Sequence, residues 1–456
     1  MEKFFQLSAR STSVKTEILG GLTTFMTMAY IIVVNPAILA FAGIPVGPST
    51  VATISTAVFG CLLMGFFANR PLAVAPYMGE NAFIAFGLAA LGIGWQQRLG
   101  AVFISGLLFL AMALFKIRPW LANSISLSMK HSFAAGIGMF LALIGLYETG
   151  IVESAVQGMP AQALLMPDGI KLGNPPVPLK IGNLHDIKVL IAVFGTVLTA
   201  TLLCRKVRGA MLIGIAGSAI LGYLLGVGEA PKAIFSLPFT GDYSIAPIFM
   251  KMDVRDCLKL TFLPILLTLF LMSFLDTLST IVGVGANCGM LDKDGNLVEV
   301  EKPMIVDALS CMFSAAVGSS TSGAFIESAA GIREGARTGL AAIVTGLLFL
   351  ASFFFIPLLE PLQHLKYAYG PALICVGLMM LNSVKEIDVE DATEAFPAFA
   401  TIAMMIFTYS IANGLTAGLV LYALMKLLTG RAGELKGGSI ILAFMCLVYF
   451  VFGLHH

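Results

Sequence analysis

Charge is what this sequence has least of. Asp, Glu, Lys and Arg make up 12% of the 456 residues, against about 25% in ordinary soluble domains. That leaves too little polar sequence to cover a soluble core of this size. Cysteine is also sparse: seven residues (61, 204, 257, 288, 311, 375 and 446) stand singly, mostly in or beside apolar stretches, with no CxxC pair. They read as small core residues rather than as metal ligands or a disulfide framework. The five histidines (131, 185, 364, 455 and 456) sit at segment ends or outside and show no ligand spacing. With no nucleophile–base pair and no metal spacing, an enzyme is the least supported class and no cofactor is expected. The formal net charge of +1 leaves no footprint for nucleic acid. The N-terminus is polar and amphipathic up to Glu17, so no cleavable signal peptide is expected and the first apolar segment serves for insertion.

What the sequence has in quantity is apolar residues: 58% are hydrophobic, with 33 Phe and 47 Gly. At about 20 residues per span, the chain divides into segments at 17–40, 50–69, 76–92, 99–116, 130–147, 187–204 and 209–226. A second set runs 257–285, 303–318, 322–335, 338–358, 370–384, 395–411 and 414–429. A further apolar stretch, 438–455, is an extra span or a packed helix. Basic residues recur at alternate connections: Lys3, Arg10 and Lys15 before segment 1, Arg70 after 2, Lys116, Arg118 and Lys130 between 4 and 5. Arg205, Lys206 and Arg208 follow 6, Lys293 and Lys302 follow 8, Arg333 and Arg337 follow 10, and Lys426 and Arg431 close 14. The remaining connections are poorer in Lys and Arg for their length, so the positive-inside rule puts the N-terminus in the cytoplasm with fourteen spans. The expected location is the cell (plasma) membrane, with the lipid bilayer as partner.

Fourteen divides into seven and seven, and an odd repeat unit must produce inverted copies. Asn81-Ala82-Phe83-Ile84 in segment 3 echoes Gly323-Ala324-Phe325-Ile326 in segment 10, and Gly209 to Gly226 in segment 7 resembles Gly414 to Gly430 in segment 14. These matches point to an all-α polytopic membrane protein built as 7+7 inverted repeats.

The chemistry gathers where the helices break. Pro71 and Pro76 bracket a stretch that cannot be a good helix, which resumes near Gly79-Glu80-Asn81. Segment 10, VGSSTSGAFIESAAGIRE from Val317, runs irregularly from Gly318 to Gly323 and is expected to be helical from about Ala324 to Arg333. Asn81 and Glu327 then sit near the midplane at half-helix N-termini, which favour carboxylates and carbonyl-bearing ligands. In segment 8, Ser273, Asp276, Thr277, Thr280 and Asn287 fall on one helical face. The Lys and Arg in the spans of Asp276 and Glu327, Lys259 and Arg333, stand at the segment ends and leave the two acids unpaired at depth, so a protonated carboxyl that binds and releases a proton is the natural state. Shorter stripes, Asp307-Ser310-Ser314 in segment 9 and Thr23-Thr27-Tyr30 in segment 1, serve equally well as helix packing. Asp307 lies nearer the cytoplasmic end, where a surface cap or pair explains it as well as transport does. Glu80 is expected on the external side of segment 3, in solvent.

Taken together, FFQLSARSTSVKTEILGGLTTFMTMAYIIVVNP, LAVAPYMGENAF, SFLDTLSTIVGVGANCGMLDKDGN, IVDALS and SSTSGAFIESAAGIREGARTGL resemble the AzgA-like purine permeases, within the nucleobase transporter group, over nearly the whole chain. The resemblance implies a core domain (1–128 and 257–359) and a gate domain (129–256 and 360–456), and proton-coupled uptake of adenine, guanine or hypoxanthine. It puts the base between segments 3, 8 and 10, with Asn81 and Asp276 beside it and with Glu327 and Asp307 as the transport acids. Phe83 or Phe325 would cover the purine face, and Ser322, Gly323 and Thr27 complete the expected binding set. Proton coupling is expected at Glu327, Asp276 and Asp307. Glu80 stands where relatives commonly carry an apolar residue, and the usual Thr-rich run of segment 10 is Ser-Ser-Thr-Ser-Gly here. Rival readings are an anion carrier of the same architecture and an ion channel; a homodimer stays open.

Overall fold

The fold is seen in a computed structural model, which describes all residues except 1, 89–91, 116–123, 158–177, 232, 260–261, 286–299 and 453–456. Asn287 lies outside the described residues. Fourteen segments follow one another. Segment 1 is Val14–Met28 and Ile31–Phe41, interrupted at Ala29 and Tyr30 and carrying Pro36 inside its second part. Segment 2 is Val46–Leu63, ending in a wide turn at Met64–Ala68. Segment 3 has an extended strand β1 (Val74–Pro76), a helix Met78–Ala82 and a wide turn Phe83–Gly87. Segments 4 to 7 are Trp95–Leu114, Leu127–Glu148, Ile187–Cys204 and Ala210–Leu224. Segments 8 and 9 are Leu263–Gly285 and Glu301–Val317. Segment 10 has the strand β4 (Ser322–Ala324) and the helix Ser328–Arg333. Segments 11 to 14 are Gly339–Ser352, Lys366–Leu381, Ala392–Phe407 and Ile411–Leu428. A last helix, Gly437–Phe452, packs on segments 8 and 14. Outside the bundle, β2 (Val152–Ser154) and β3 (Leu179–Ile181) form an antiparallel ribbon.

The helices pack in two groups. Segments 1, 2, 4, 8, 9 and 11 pack on one another and hold segments 3 and 10; segments 5, 6, 7, 12, 13 and 14 pack among themselves. Members seven apart in order touch directly: 2 with 9, 3 with 10, and 5 with 12. Segments 5 and 12 cross at Gly138 and Gly377, where a Cβ on either would strike the other's backbone carbonyl; small residues at such crossings let membrane helices approach closely. Segments 3 and 8 face segments 5 and 14, and the groups meet there.

Buried polar groups tie the first group together. Glu17 of segment 1 is fully buried and accepts the backbone N–H groups of Arg337 (2.7 Å), Thr338 (3.2 Å) and Ala341 (3.2 Å) at the start of segment 11, where a helix leaves donors to be met from outside. Arg98 at the start of segment 4 donates to the carbonyls of Ile84 (3.0 Å) and Ala85 (3.2 Å) in the wide turn of segment 3.

Candidate functional site

At the centre of the first group, β1 and β4 cross antiparallel, with Val74 opposite Ala324, Ala75 opposite Gly323 and Pro76 opposite Ser322. Both strands are fully buried. The sequence forces this arrangement. Pro71 and Pro76 deny segment 3 a continuous helix, and non-helical backbone at membrane depth must be satisfied by protein. Each break therefore supplies the other's partners. Phe325 N–H donates to Ala73 O (2.8 Å), Tyr77 N–H to Thr321 O (2.9 Å), and the Ser328 hydroxyl accepts Ala73 N–H (2.9 Å). Position 323 must be glycine because the Tyr77 ring lies against it: a Cβ there would overlap the phenol oxygen.

The strands also shorten the second half-helix. Helix in segment 10 begins at Ser328, not near Ala324, because residues 322–324 spend their backbone groups on β1. Glu327 immediately precedes that short helix, as expected, and Asn81 lies one turn into the helix that starts at Met78.

Side chains from six segments (1, 2, 3, 8, 9 and 10) close around the crossing. Asn35, fully buried before Pro36, donates to Thr53 (2.8 Å) and Ser319 (3.1 Å), and its carbonyl oxygen accepts from Ser320 (3.3 Å) and from the Asn81 amide. Asp307 is fully buried; its Oδ2 accepts the Thr277 hydroxyl (2.9 Å) and the Ala324 N–H (3.1 Å). Of the two readings open for Asp307, the surface cap or pair is thereby corrected: the Ala324 N–H of β4 holds the carboxylate in the crossing. Glu80 is corrected more sharply. It is fully buried, accepts the Ser273 hydroxyl at 2.7 Å, and faces the Asp276 carboxyl rather than solvent. A five-residue helix starting at Met78 turns position 80 inward, onto the polar face of segment 8. Glu80 Oε1, Asn81 Oδ1, Asp307 Oδ1 and Thr321 Oγ1 are buried with no hydrogen-bond partner among the described residues, although Thr321 and Glu80 approach each other.

The remaining candidates are distributed unevenly. Ser322 donates to the Ser310 hydroxyl (2.9 Å), a strut between segments 9 and 10. Phe325 lies parallel to Tyr77, with centroids 6.2 Å apart and planes at 6°. Phe83 is buried and packs back over Gly87 of its own segment. The Thr27 hydroxyl donates to its own helix at Thr23 and Thr24. Glu327 accepts the Tyr30 hydroxyl at 2.9 Å, so it sits against the interruption of segment 1. On segment 8, Ser273, Thr277 and Thr280 are all buried, as the one-faced pattern requires. Asp276 opens towards the second group, lining a narrow cavity with Lys130, Phe133 and Ile137 of segment 5 and with Met405, Ile411 and Leu415 of segments 13 and 14.

Sequence reasoning missed Asn35 and Tyr77. An Asn directly before a proline in an apolar helix and a Tyr directly after one were the available signals, since both prolines free backbone that neighbouring polar groups must meet. The assembled site holds carboxylates, one amide and hydroxyls, and no ion pair joins Glu80, Asp276, Asp307 or Glu327 to a Lys or Arg among the described residues. Nor do the described residues gather three His, Cys, Asp or Glu that could hold a metal ion. Such a site suits a neutral ligand rimmed with donors and acceptors.

A family model described as Permease family matches residues 15–417. Adenine permease AdeP of Escherichia coli is 34% identical over 99% of this chain and 96% of its own. Guanine/hypoxanthine permease PbuG of Bacillus subtilis is 36% identical over 99% of this chain and all of its own. Among solved structures, the transmembrane domain of the cyanobacterial bicarbonate transporter BicA superposes with a TM-score of 0.63 at 14% identity, covering 89% of this chain and 97% of that one.

Proposed function

The chain belongs to the Permease family, and we propose that it imports a purine nucleobase across the cell membrane by proton-coupled alternating access. The observation that carries this reading is the buried crossing of segments 3 and 10, fringed by Glu80, Asn81, Asp276, Asp307 and Glu327 and lacking any bonded cation among the described residues. Its support from relatives is that full-length members carry adenine and guanine/hypoxanthine permease names. A purine presents ring nitrogens and amino or oxo groups at its rim and an aromatic face. Carboxyl and amide groups answer the rim, and Phe325, backed by the parallel Tyr77 ring, answers the face.

In this reading segments 1–4 and 8–11 form the moving core (1–128 and 257–359), segments 5–7 and 12–14 the gate (129–256 and 360–456), and the N-terminus is cytoplasmic. Asp276 meets the base at the core–gate boundary. Glu327, held by Tyr30, and Asp307, held by Thr277, are the further proton-coupling candidates. An ionised acid at membrane depth is expensive, so protonation on one side favours movement of the loaded core and release on the other completes symport. The likeness to a bicarbonate transporter concerns fold alone; four uncompensated carboxylates disfavour an anion.

The test is uptake of radiolabelled adenine, guanine, hypoxanthine and uracil by cells lacking their own carriers. Saturable purine uptake that collapses with an uncoupler is expected. Glu327→Gln and Asp276→Asn should each lower uptake about 100-fold, the order of loss when a positioned proton-transfer group is removed, and Glu80→Leu should change its pH profile. Parent-like transport by both acid variants, conductance without saturation, or uracil in place of purines defeats the proposal.

A further inference from the structure

Segment 5 brings to the core–gate boundary a cation that this cycle has not used. Lys130 lies one turn into Leu127–Glu148, half-buried, and no hydrogen bond or ion pair holds its ammonium among the described residues. It lines two cavities at once. One is the narrow gap shared with Asp276; the other is a cleft of about 280 Å³ bounded by Ser126, Tyr422, Glu434, Lys436 and Ser439. Lys130 thus stands between the Asp276 gap and the cleft outside it.

The groups around it leave one direction open. On the cleft side Lys436 faces it as a like charge. Glu434 is committed to Lys426 at 2.6 Å, and Glu394 bonds Lys426 (3.0 Å) and Ser126 (2.6 Å). His131 is next in line, with Glu386 facing it; Tyr422 lies beside Lys426. Inward, along the face of segment 5 that carries Phe133, Ala134 and Ile137, the acid that lines the same gap is Asp276. A lysine stem is flexible enough to swing between two such positions.

A symporter that has released both substrate and proton must return empty, and it then carries a bare carboxylate through a low-dielectric boundary. We propose that Lys130 is the counter-charge for that return step: after Asp276 loses its proton to water on the cytoplasmic side, the Lys130 ammonium, anchored on the gate, pairs with the Asp276 carboxylate and neutralises it while the empty core slides past. Lys130 keeps its own proton throughout, no covalent bond changes, and a new proton arriving at Asp276 from outside frees Lys130 towards the cleft. Intramembrane charges are tolerated when they pair in this way, and repulsion from Lys436 favours the inward position. The inference rests on the purine-symport reading and adds to it a residue that acts through Asp276 without touching the base.

Two transport modes separate this role from a structural one, because exchange of internal for external purine needs no empty return whereas net uptake does. Both are measured in vesicles holding the full-length protein, per molecule in the membrane. For Lys130→Gln, and for Lys130→Met as a second neutral variant, net uptake should fall about ten-fold or more while exchange stays within about two-fold, because only the unpaired return carries the cost of a bare charge. Lys130→Arg should retain both modes. Equal loss of both modes in the two neutral variants, or net uptake at the parent rate, overturns the inference. A parent that moves no purine in either mode overturns the transport reading itself.

Discussion

Gly323 shows how one residue sets the geometry of the crossing. The Tyr77 ring occupies the space a Cβ would need, and its hydroxyl reaches Thr277 at 3.0 Å, so three segments are registered at one point. Gly323→Ala should cost about 1–3 kcal/mol of stability, as overpacking does, and lower purine uptake more than it lowers the amount of protein in the membrane. Uptake per molecule equal to the parent would show that the crossing tolerates displacement. At this scale the sequence was partly legible. Asp276, Glu327 and Asn81 stood out because acids and amides are rare in apolar runs. Glu80 was misread because a carboxylate beside a helix start has two directions available, and only the position of segment 8 selects the inward one.

Among elements, the breaks were legible and their extents were not. Two prolines and a Gly-Ser run announce interruptions, yet helix starts at Ser328 because of a strand partner some 250 residues away in sequence. The local ends of regular helices follow simpler rules. Asp391 caps segment 13, accepting from the Thr393 hydroxyl (2.7 Å) and backbone (2.9 Å) and pairing with Arg431 (2.7 Å). These bonds, the Thr393 hydroxyl foremost, hold its carboxyl down at about 2, below its ordinary value of 3.8. A carboxyl depressed on folding stabilises above its unfolded value and loses that contribution as pH falls through the folded one. Asp391→Asn should therefore lower the melting temperature by the same amount at pH 7 and pH 5, with the difference shrinking below about pH 4 and gone near pH 2. Thermal unfolding in detergent across that range is the check, and a difference that persists at low pH removes the cap from the account.

For the whole molecule, the decisive feature is the boundary between the two helical groups. The gap at Asp276 is about 10 Å³, room for about one water, whereas ligand pockets run to roughly 300–1,000 Å³. On the proposed reading, a base reaches Asp276 only if the groups separate there. Cysteines introduced at Met272 and Ile137, which line that gap from opposite groups, should cross-link in a background freed of native cysteine, and the link should stop net uptake until it is reduced. Full uptake with the link in place would rule out relative movement at this boundary.

By itself the sequence determined the membrane class, the fourteen segments, the 7+7 plan and the two broken ones, because apolar length, proline and glycine act locally and leave periodic traces. It also singled out the acids at membrane depth, since charge is conspicuous where charge is scarce. Only the tertiary structure decided what each acid faces: Glu80 on Ser273, Asp307 on Thr277 and Ala324, Glu327 on Tyr30, and Asp276 on the gap between the two helical groups. The hydrogen-bonded pairings join residues from 17 to 297 positions apart along the chain. Local sequence rules cannot reach them: the breaks leave groups such as the Ala324 N–H to find a partner in Asp307, and the buried acids find hydroxyls wherever the packing brings them.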